Sequence, residues 1–261
     1  MKSNIDEKLI INVGDAKIGG GYFAYIAGPC AVESEDSLFS VASAVKKAGA
    51  TILRGGAYKP RTSPRDFQGL GAEGLKILVK VAKAVGLPMV SEIVDPRDLD
   101  LFADVDMLQI GAKNMQNFSL LKEVGKTNKP VLLKRGFCNT LDELLLSAEY
   151  ITDAGNERVV LCERGIRTFE SANRFTLDLG GALRLKELTR FPVIIDPSHA
   201  SGRAELVEPL SLASAAISAD GVEVETHCKP QDALCDGAQA IQPETFAEIV
   251  KKSEKIRRIV K

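Results

Sequence analysis

Four residues that lie far apart in the sequence have the side chains of a transition-metal site. They are Cys30, His199, Glu225 and Asp236. One thiolate, one imidazole and two carboxylates form a mixed set of soft and hard donors, which suits Mn, Fe, Co or Zn better than Mg or Ca. The chain has 2 histidines, and the second, His227, falls in the same part of the sequence. We therefore expect this group to hold one divalent metal ion.

Two neighbouring acids leave the carboxylate ligand open. Glu223 and Glu225 are two positions apart on a predicted strand, so they point to the same side and either one suits the site. His227 continues this alternation and is expected to contact the metal ligands without binding the metal itself. Asp196 has two interpretations, a polar site residue or the cap of an Asp-Pro turn. His199 taken alone also fits a hydrogen-bonded polar residue at a strand end.

A second group consists of cations that follow the predicted strands. Arginine binds phosphate or carboxylate through two hydrogen bonds and lysine acts as a point charge, so such a ring suits a small substrate that carries phosphate. The alternative is that each cation pairs with an acid such as Glu92 or Glu163 in a structural salt bridge. The members are Arg54, Lys59, Arg61, Lys113, Lys134 and Arg164.

These groups converge only if the strand ends meet, and the segment pattern predicts that they do. Short apolar runs rich in β-branched residues alternate with segments of helical spacing about eight times. The runs are continuously apolar, which indicates a parallel sheet covered on both faces. Eight such units favour a closed (β/α)8 TIM barrel, with its site at the carboxyl ends of the strands; a doubly wound open sheet is the competing arrangement. The predicted strands are 22–27, 51–54, 88–93, 107–110, 131–134, 158–162, 193–196 and 221–225, and the helices are 35–48, 71–85, 96–102, 115–124, 140–153, 176–188, 203–219 and 243–259.

The first residues are predicted to form a short extension. Leu9–Ile11 and Lys17–Ile18 flank a Gly-Asp turn, which indicates a β-hairpin that plugs the bottom of the barrel. The predicted division is therefore an N-terminal extension over 1–21 and a catalytic barrel over 22–261.

Composition excludes several classes of protein. The 261 residues include 34 Lys and Arg against 35 Asp and Glu, a formal net charge of -1, which argues against electrostatic binding to nucleic acid or to an anionic membrane. We see neither a secretory signal nor an apolar stretch of about 18 residues, so a cytoplasmic protein is expected. Its 5 cysteines are an odd number, which favours reduced thiols.

Several motifs resemble those of 3-deoxy-D-arabino-heptulosonate 7-phosphate (DAHP) synthase, type I, in its short-core β subclass. The resemblance covers nearly the whole chain from about Tyr22. The motifs are Ile26-Ala-Gly-Pro-Cys30, Leu53-Arg-Gly-Gly-Ala-Tyr-Lys-Pro-Arg-Thr-Ser-Pro64, Gln109-Ile-Gly-Ala112, Leu133-Lys-Arg-Gly136 and Asp196-Pro-Ser-His-Ala200.

The resemblance implies a function and a role for each group. Members of the family are barrels, usually homotetramers, that condense phosphoenolpyruvate with erythrose 4-phosphate and water at the first step of the shikimate pathway. By resemblance Cys30, His199, Glu225 and Asp236 hold the metal, and Lys59 is a candidate proton donor to the aldehyde oxygen. Family positions for phosphoenolpyruvate correspond to Arg54, Lys59, Lys134 and Arg164, and those for the sugar phosphate to Arg61 and Thr62.

The chain departs from the family pattern at two positions. Lys113 stands where arginine is usual, which replaces a two-point phosphate contact by a single charge. Cys228 follows His227 where the family more often has proline. Cys228 and Cys235 are also potential competitors for a soft metal and potential oxidation sites.

Two other functions fit parts of this pattern. The sister enzyme 3-deoxy-D-manno-octulosonate 8-phosphate synthase uses arabinose 5-phosphate, but its second loop usually reads Asn-Arg-Ser-Ser, unlike Pro60-Arg-Thr-Ser-Pro64. A non-catalytic barrel that binds a phosphorylated metabolite would keep the cations and lose metal ligands. Because the extension is short, we also expect an enzyme insensitive to Phe, Tyr and Trp.

Overall fold

The computed structural model describes residues 7–260, in which eight parallel strands form a closed barrel. Each barrel strand pairs with the next along the chain, and the last strand, Gly221–Glu225, pairs with the first, Ala24–Gly28, to close the ring. Closure confirms the predicted barrel, and the open-sheet alternative is wrong. The strands are β1 (Ile11–Val13), β2 (Ala16–Ile18), β3 (Ala24–Gly28), β4 (Ile52–Arg54), β5 (Met89–Glu92), β6 (Met107–Ile110), β7 (Val131–Lys134), β8 (Val159–Glu163), β9 (Val193–Ile195) and β10 (Gly221–Glu225).

Helices surround the barrel because each strand is followed by a chain segment that returns to the other end. They are α1 (Glu35–Ala48), α2 (Ala72–Val85), α3 (Phe118–Gly125), α4 (Leu141–Thr152), α5 (Leu179–Leu188), α6 (Pro197–Ser201), α7 (Ala204–Ala216) and α8 (Pro243–Val260). Four short 3₁₀ segments complete the fold: Pro96–Phe102, Ala112–Asn114, Pro230–Asp232 and Gly237–Gln239. Within residues 7–260 we find no helix with both the length and the apolar character that crossing a bilayer requires.

The strands alternate between two cores. Outward-facing residues such as Leu53 and Leu133 pack beneath the helices in the large apolar cluster. Inward-facing residues near the strand starts, such as Ile26 and Leu132, form a second cluster inside the barrel. Farther along the strands the inward positions become polar, since Lys134 follows Leu132 at the two-residue spacing of a strand. The lower half of the barrel is therefore apolar and the upper half carries charge.

The hairpin of β1 and β2 closes the lower end. Its strands are antiparallel, and Ile11, Val13, Ala16 and Ile18 are buried in the same cluster as the lower barrel residues. The predicted hairpin and its place at the barrel bottom are therefore present in the structure. Residues 1–6 of the predicted extension, and the final residue of the predicted barrel domain, lie outside the described residues, and the domain division stays a prediction.

Several predicted elements differ in their bounds, among them the helices predicted over 176–188 and 203–219, which are Leu179–Leu188 and Ala204–Ala216, and for three others the structure shows the cause or the type of element. The first barrel strand begins at Ala24 rather than Tyr22, because the Tyr22 amide donates to Gly19 O (3.0 Å) in the preceding turn. The predicted helix over 96–102 is a 3₁₀ segment, as expected of a short piece between two strands. The predicted helix over 115–124 begins at Phe118, where the Asn117 side chain accepts from the Leu120 amide.

A glycine permits close contact at the top of the barrel. Gly28 has φ 152°, and a Cβ at this position would lie 2.0 Å from Arg54 O. Only glycine fits this approach of β3 to β4. The chain then turns inward, so that Cys30 lies just above the barrel rather than on its outside.

Candidate metal centre and anion cavity

The four predicted metal ligands lie together above the barrel. Cys30 follows β3, His199 lies in α6, Glu225 ends β10, and Asp236 lies in the loop after β10. One donor atom from each lies within 4.8 Å of the donors of the other three. His199 Nε2 is 3.1 Å from Glu225 Oε1 and 3.8 Å from Asp236 Oδ2, which in turn is 3.4 Å from Cys30 Sγ.

These separations fit a metal ion. Ligand bonds of about 2.0–2.3 Å in a tetrahedron place neighbouring donors about 3.3–3.8 Å apart, close to the spacings described above. The donor set is also unfavourable without a cation, because two carboxylates and a thiol face one another in a largely buried space. We therefore conclude that the residues present fit a divalent transition metal.

Further contacts orient the ligands. Asp196 Oδ2 lies 2.7 Å from His199 Nδ1, so that Nε2 faces the other donors. Asp196 Oδ1 also accepts from the His199 amide and begins α6, so both interpretations of this residue hold. The Ser198 hydroxyl accepts from the Glu225 amide at 3.0 Å. The five-residue helix α6 thus brings its ligand directly onto β10.

Glu33 and His227 hold the loop that carries Asp236. Glu33 Oε1 accepts from the Leu234 amide (2.7 Å), and its Oε2 lies 3.6 Å from His227 Nε2. His227 Nδ1 accepts from the Lys229 amide (3.1 Å) at the start of the same loop. The supporting role expected of His227 is therefore matched by its contacts, and Glu33 is an additional member.

Glu223 does not join the four-donor group. Its carboxylate lies 3.0 Å from Arg54 Nε and 2.7 Å from Lys134 Nζ, below the cluster. With Cys162 and Asp196 it forms a second buried group of potential donors, but the Lys134 ammonium lies 2.5 Å from Asp196 Oδ2 and already neutralises it. The structure thus favours Glu225 as the ligand of the two neighbouring acids.

Five of the six predicted cations line a cavity beside the ligands, and the sixth, Arg54, is buried and is not part of its wall. The volume of the cavity is about 170 Å³. His199 and Asp236 form part of its wall, so the cavity opens directly onto the four donors. The predicted cations in the wall are Lys59, Arg61, Lys113, Lys134 and Arg164, and Thr62 joins them.

Depth separates these cations into two sets. Arg54, Lys134 and Arg164, which we call the inner cations, are each buried. Arg61 and Lys113 are more exposed and lie nearer the entrance.

Two of the inner cations form salt bridges with buried acids, as the structural alternative expects. Arg54 pairs with Glu223 and Glu225, and Lys134 with Asp196 and Glu223. These pairs raise the pKa of Lys134 although burial alone lowers it. Arg54 and Lys134 therefore pair with acids, as the salt-bridge alternative expects, but these acids are not Glu92 or Glu163.

Arg164 has no such partner among the described residues. Its guanidinium lies over the rings of Phe137 and Phe175, with centroids at 5.1 and 4.3 Å, and its buried Nη1 makes no hydrogen bond. Burial lowers the pKa of Arg164, and Glu163 pairs with Arg135 instead. A buried arginine with an unused donor at a cavity wall is a ready anion site.

Near the entrance, side chains from two loops meet. Lys113 Nζ donates to Pro60 O (2.5 Å) and lies 3.5 Å from Thr62 Oγ1, so it contacts the loop after β4. Arg61 Nη1 donates to Cys235 Sγ, and its Nη2 lies 3.4 Å from Asp66. The lysine that departs from the family pattern therefore supports this loop.

Two nearby groups have strongly shifted pKa values. For Lys59, burial lowers the pKa, but Cys30 in its ionised form and Glu92 raise it well above its ordinary value. The pKa of the Cys30 thiol is raised, chiefly by its contact with Cys235, whose Sγ is 3.3 Å away, and also by burial. Lys59 therefore keeps its proton, and Cys30 must lose one to bind a metal.

The sequence did not predict every residue of this site. Phe137 and Arg174 line the cavity, and Gln239 contacts Glu225. These residues lie in loops rather than at strand ends, so the strand pattern gave no signal for them. Glu92 and Gln109 also line the cavity and do point inward from strand ends.

A family profile and a bacterial enzyme both match this chain over nearly its whole length. The profile of the DAHP synthetase I family matches residues 4–259. A phospho-2-dehydro-3-deoxyheptonate aldolase of Thermotoga maritima is 50% identical over 251 residues, which cover 96% of this chain and 74% of the relative. The chain belongs to the DAHP synthetase I family.

Solved structures agree with this membership. The crystal structure of the Thermotoga maritima DAHP synthase has a TM-score of 0.94 at 49% identity and covers 98% of this chain and 75% of that one. A truncated form of the same enzyme has a TM-score of 0.91 at 46% identity, over 98% and 94%. The predicted family, the barrel and the prediction of an enzyme are confirmed.

The sister enzymes are more distant. A 2-dehydro-3-deoxyphosphooctonate aldolase of Geobacter sulfurreducens is 33% identical over 274 residues, which cover 96% of this chain and 98% of that protein. The higher identity to the heptonate enzyme supports the predicted function over the octonate alternative.

Proposed function

We propose that this chain is a DAHP synthase, which condenses phosphoenolpyruvate with erythrose 4-phosphate and water and releases inorganic phosphate. One observation carries the proposal: the four-donor group and the cations face the same cavity, which suits phosphorylated substrates beside a carbonyl that a metal held by those four residues would polarise. The 50% identity to the Thermotoga maritima enzyme supports this substrate pair.

The depth of the cavity suggests how the substrates divide it. Phosphoenolpyruvate carries a carboxylate and a phosphate, which suits the inner cations, where Arg164 has an unused donor. The sugar phosphate then lies nearer the entrance, with its phosphate at Arg61 and Thr62. This arrangement brings the aldehyde towards the four donors and supplies proximity without movement of the barrel.

The chemistry requires polarisation of the aldehyde and transfer of a proton to its oxygen. A bound divalent metal would polarise the carbonyl as a Lewis acid. Lys59 lines the same cavity and would donate the proton as the enol carbon forms the new carbon–carbon bond. Water adds to the adjacent carbon, and the bond between that carbon and the phosphate oxygen breaks. The inner cations hold the departing phosphate.

Three finer assignments belong to the same proposal. The metal is of the Mn, Fe, Co or Zn class, because its ligands include one thiolate and one imidazole. By resemblance to the family we also propose a homotetramer, and we propose that the protein is cytoplasmic. The substrates are small phosphorylated molecules, without nucleic acid or membrane as partner.

Phosphate release from phosphoenolpyruvate tests the proposal. The second substrate is erythrose 4-phosphate or arabinose 5-phosphate, each with Mn²⁺ and with excess chelator. We expect turnover with the four-carbon sugar alone, abolished by the chelator. Turnover with arabinose 5-phosphate in its place would assign the sister activity, and turnover unaffected by chelator would contradict the metal site.

A further inference from the structure

Arg174 is a cation at the cavity wall that the proposed mechanism does not use. It lies in the segment between β8 and α5, where its amide donates to Ser201 O (3.2 Å) and the next amide, of Phe175, to Ala200 O (2.9 Å). These bonds hold the segment against α6, the helix that carries His199. The Arg174 side chain is 43% exposed, so part of its guanidinium is accessible from the cavity.

Gln239 connects Arg174 to the metal cluster. It ends the 3₁₀ segment after Asp236 and is 2% exposed. Its Oε1 accepts from Arg174 Nη1 (2.8 Å), and its Nε2 donates to Glu225 Oε2 (2.7 Å). An amide has one acceptor end and one donor end, so the two contacts together define a single orientation of Gln239.

This orientation determines which oxygen of Glu225 faces the metal position. Gln239 occupies Oε2, while Oε1 lies 2.7 Å from Arg54 Nη1 and 3.1 Å from His199 Nε2. Without the amide, Glu225 Oε2 would be buried without a donor, and the carboxylate would be free to rotate. Hydrogen bonds of this kind to a ligating carboxylate usually govern metal affinity.

The charges around Arg174 favour an anion. Its nearest carboxylate oxygen, Asp236 Oδ2, is 3.9 Å from Nη1, and its positive charge contributes to the lowered pKa values of Arg164 and Lys113. Burial lowers the pKa of Lys113, and the positive charges of Arg61, Lys59 and Arg174 contribute to this shift. Several cations that repel one another around a cavity are stabilised by a bound dianion.

We propose that Arg174 binds the phosphate of the sugar substrate and, through Gln239, fixes the carboxylate of Glu225 for the metal. Arg174 is thus a binding residue and Gln239 a positioning residue. The identity of the anion rests on the proposed function, whereas the link between an anion site and a metal site does not. Because such a link is reciprocal, phosphate tightens metal binding and metal tightens phosphate binding by the same factor.

The coupling is measurable without turnover. Mn²⁺ is titrated into the metal-free protein and free Mn²⁺ is followed by electron paramagnetic resonance, with and without inorganic phosphate. We expect phosphate to lower the Kd for Mn²⁺ by about fivefold or more in the natural protein. Arg174→Met and Gln239→Met should abolish this effect, and Gln239→Met should also raise the Kd without phosphate by about tenfold or more.

Controls separate the coupling from damage to the fold. Arg203 is 54% exposed and pairs with Glu205 at the start of α7, so Arg203→Met should behave as the natural protein. Should Gln239→Met fail to fold, Gln239→Asn keeps the amide but is too short to reach both partners, and the same loss is expected. Phosphate-dependent tightening that persists in Arg174→Met, or an unchanged Kd in both Gln239 variants, would overturn the proposal.

Steady-state kinetics test the assigned anion. Arg174→Met should raise the KM for erythrose 4-phosphate about tenfold and leave the KM for phosphoenolpyruvate unchanged. A change confined to phosphoenolpyruvate would overturn the assignment of the sugar phosphate. If the natural protein lacked turnover but kept the coupling between phosphate and Mn²⁺, the proposed function would fail while the link through Gln239 stood.

Discussion

At the scale of single residues, pairing distinguishes the cations of the cavity. Arg54 and Lys134 each contact two carboxylates, whereas Arg164 is buried against two aromatic rings with one donor unused. A buried charge without a partner destabilises the fold and is retained where it binds a ligand. Arg164 is therefore the cation that we propose for substrate binding, at some expense of stability.

Replacement of Arg164 by methionine should separate these two effects. Methionine keeps much of the apolar contact with Phe137 and Phe175 and removes the unpaired charge. We expect kcat/KM for phosphoenolpyruvate to fall about 100-fold or more and the Tm to stay the same or rise. Kinetics and thermal denaturation measure both, and exposed Arg203→Met is the matched control. A lower Tm with unchanged kinetics would show that Arg164 is structural.

The raised pKa of Cys30 predicts how metal affinity depends on pH. A thiol whose pKa lies above its ordinary value is protonated at neutral pH, so each bound metal must displace its proton. Affinity for Mn²⁺ should therefore rise about tenfold for each unit of pH between about 7 and 8. Titrations at several pH values measure the slope. Cys30→Asp supplies an already ionised ligand and should flatten it; a steep slope in that variant would assign the proton elsewhere.

The same scale shows what the sequence predicts well. Cys30, His199 and Glu225 were predicted as a group because the ends of parallel strands meet, whatever the loops do. Arg174 and Gln239 were not, since their positions depend on loop conformations set by amide contacts such as that between Phe175 and Ala200. The spacing of apolar residues in the sequence does not reveal such contacts.

At the scale of elements, burial explains which predictions were accurate. Strands such as β7 and β10 are buried on both faces, so their apolar runs identify them directly. The helix α6 has five residues and follows β9 without a loop, which is too short for a helical period to be recognised. This unpredicted helix carries His199, so the sequence pattern does not predict how His199 is oriented in the candidate metal centre.

The hairpin at the lower end should affect stability without affecting catalysis. Ile18 is fully buried among the lower barrel residues, and removal of its side chain leaves a cavity. We expect Ile18→Ala to lower the free energy of unfolding by about 2–5 kcal/mol. Ile10→Ala, at a position 47% exposed beside the same hairpin, should have little effect. Denaturant titration measures the difference, and a change in the Kd for Mn²⁺ of the folded Ile18 variant would contradict the separation.

At the scale of the whole molecule, a neutral protein concentrates its charge in one place. The formal net charge is -1, yet the upper half of the barrel holds buried cations, acids and the candidate metal ligands. The apolar lower half supplies the stability that this charged half lacks. Fold class was predictable because the lower half and the outer core dominate the sequence pattern, and the charge pairing was not, because Arg54 and Lys134 had several acids within reach.

Ligands can reach the cavity only from the upper end of the barrel, since the hairpin fills the lower end. The inner cations lie deeper in it than Arg61 and Lys113. A sugar phosphate seated near the entrance would obstruct the way to Arg164. Under the proposed function we therefore expect phosphoenolpyruvate to bind first, and the product that carries the sugar phosphate to leave before the deeper site empties. Product-inhibition patterns would reveal this compulsory order, and a random order would mean that the entrance is wide enough for molecules to pass one another.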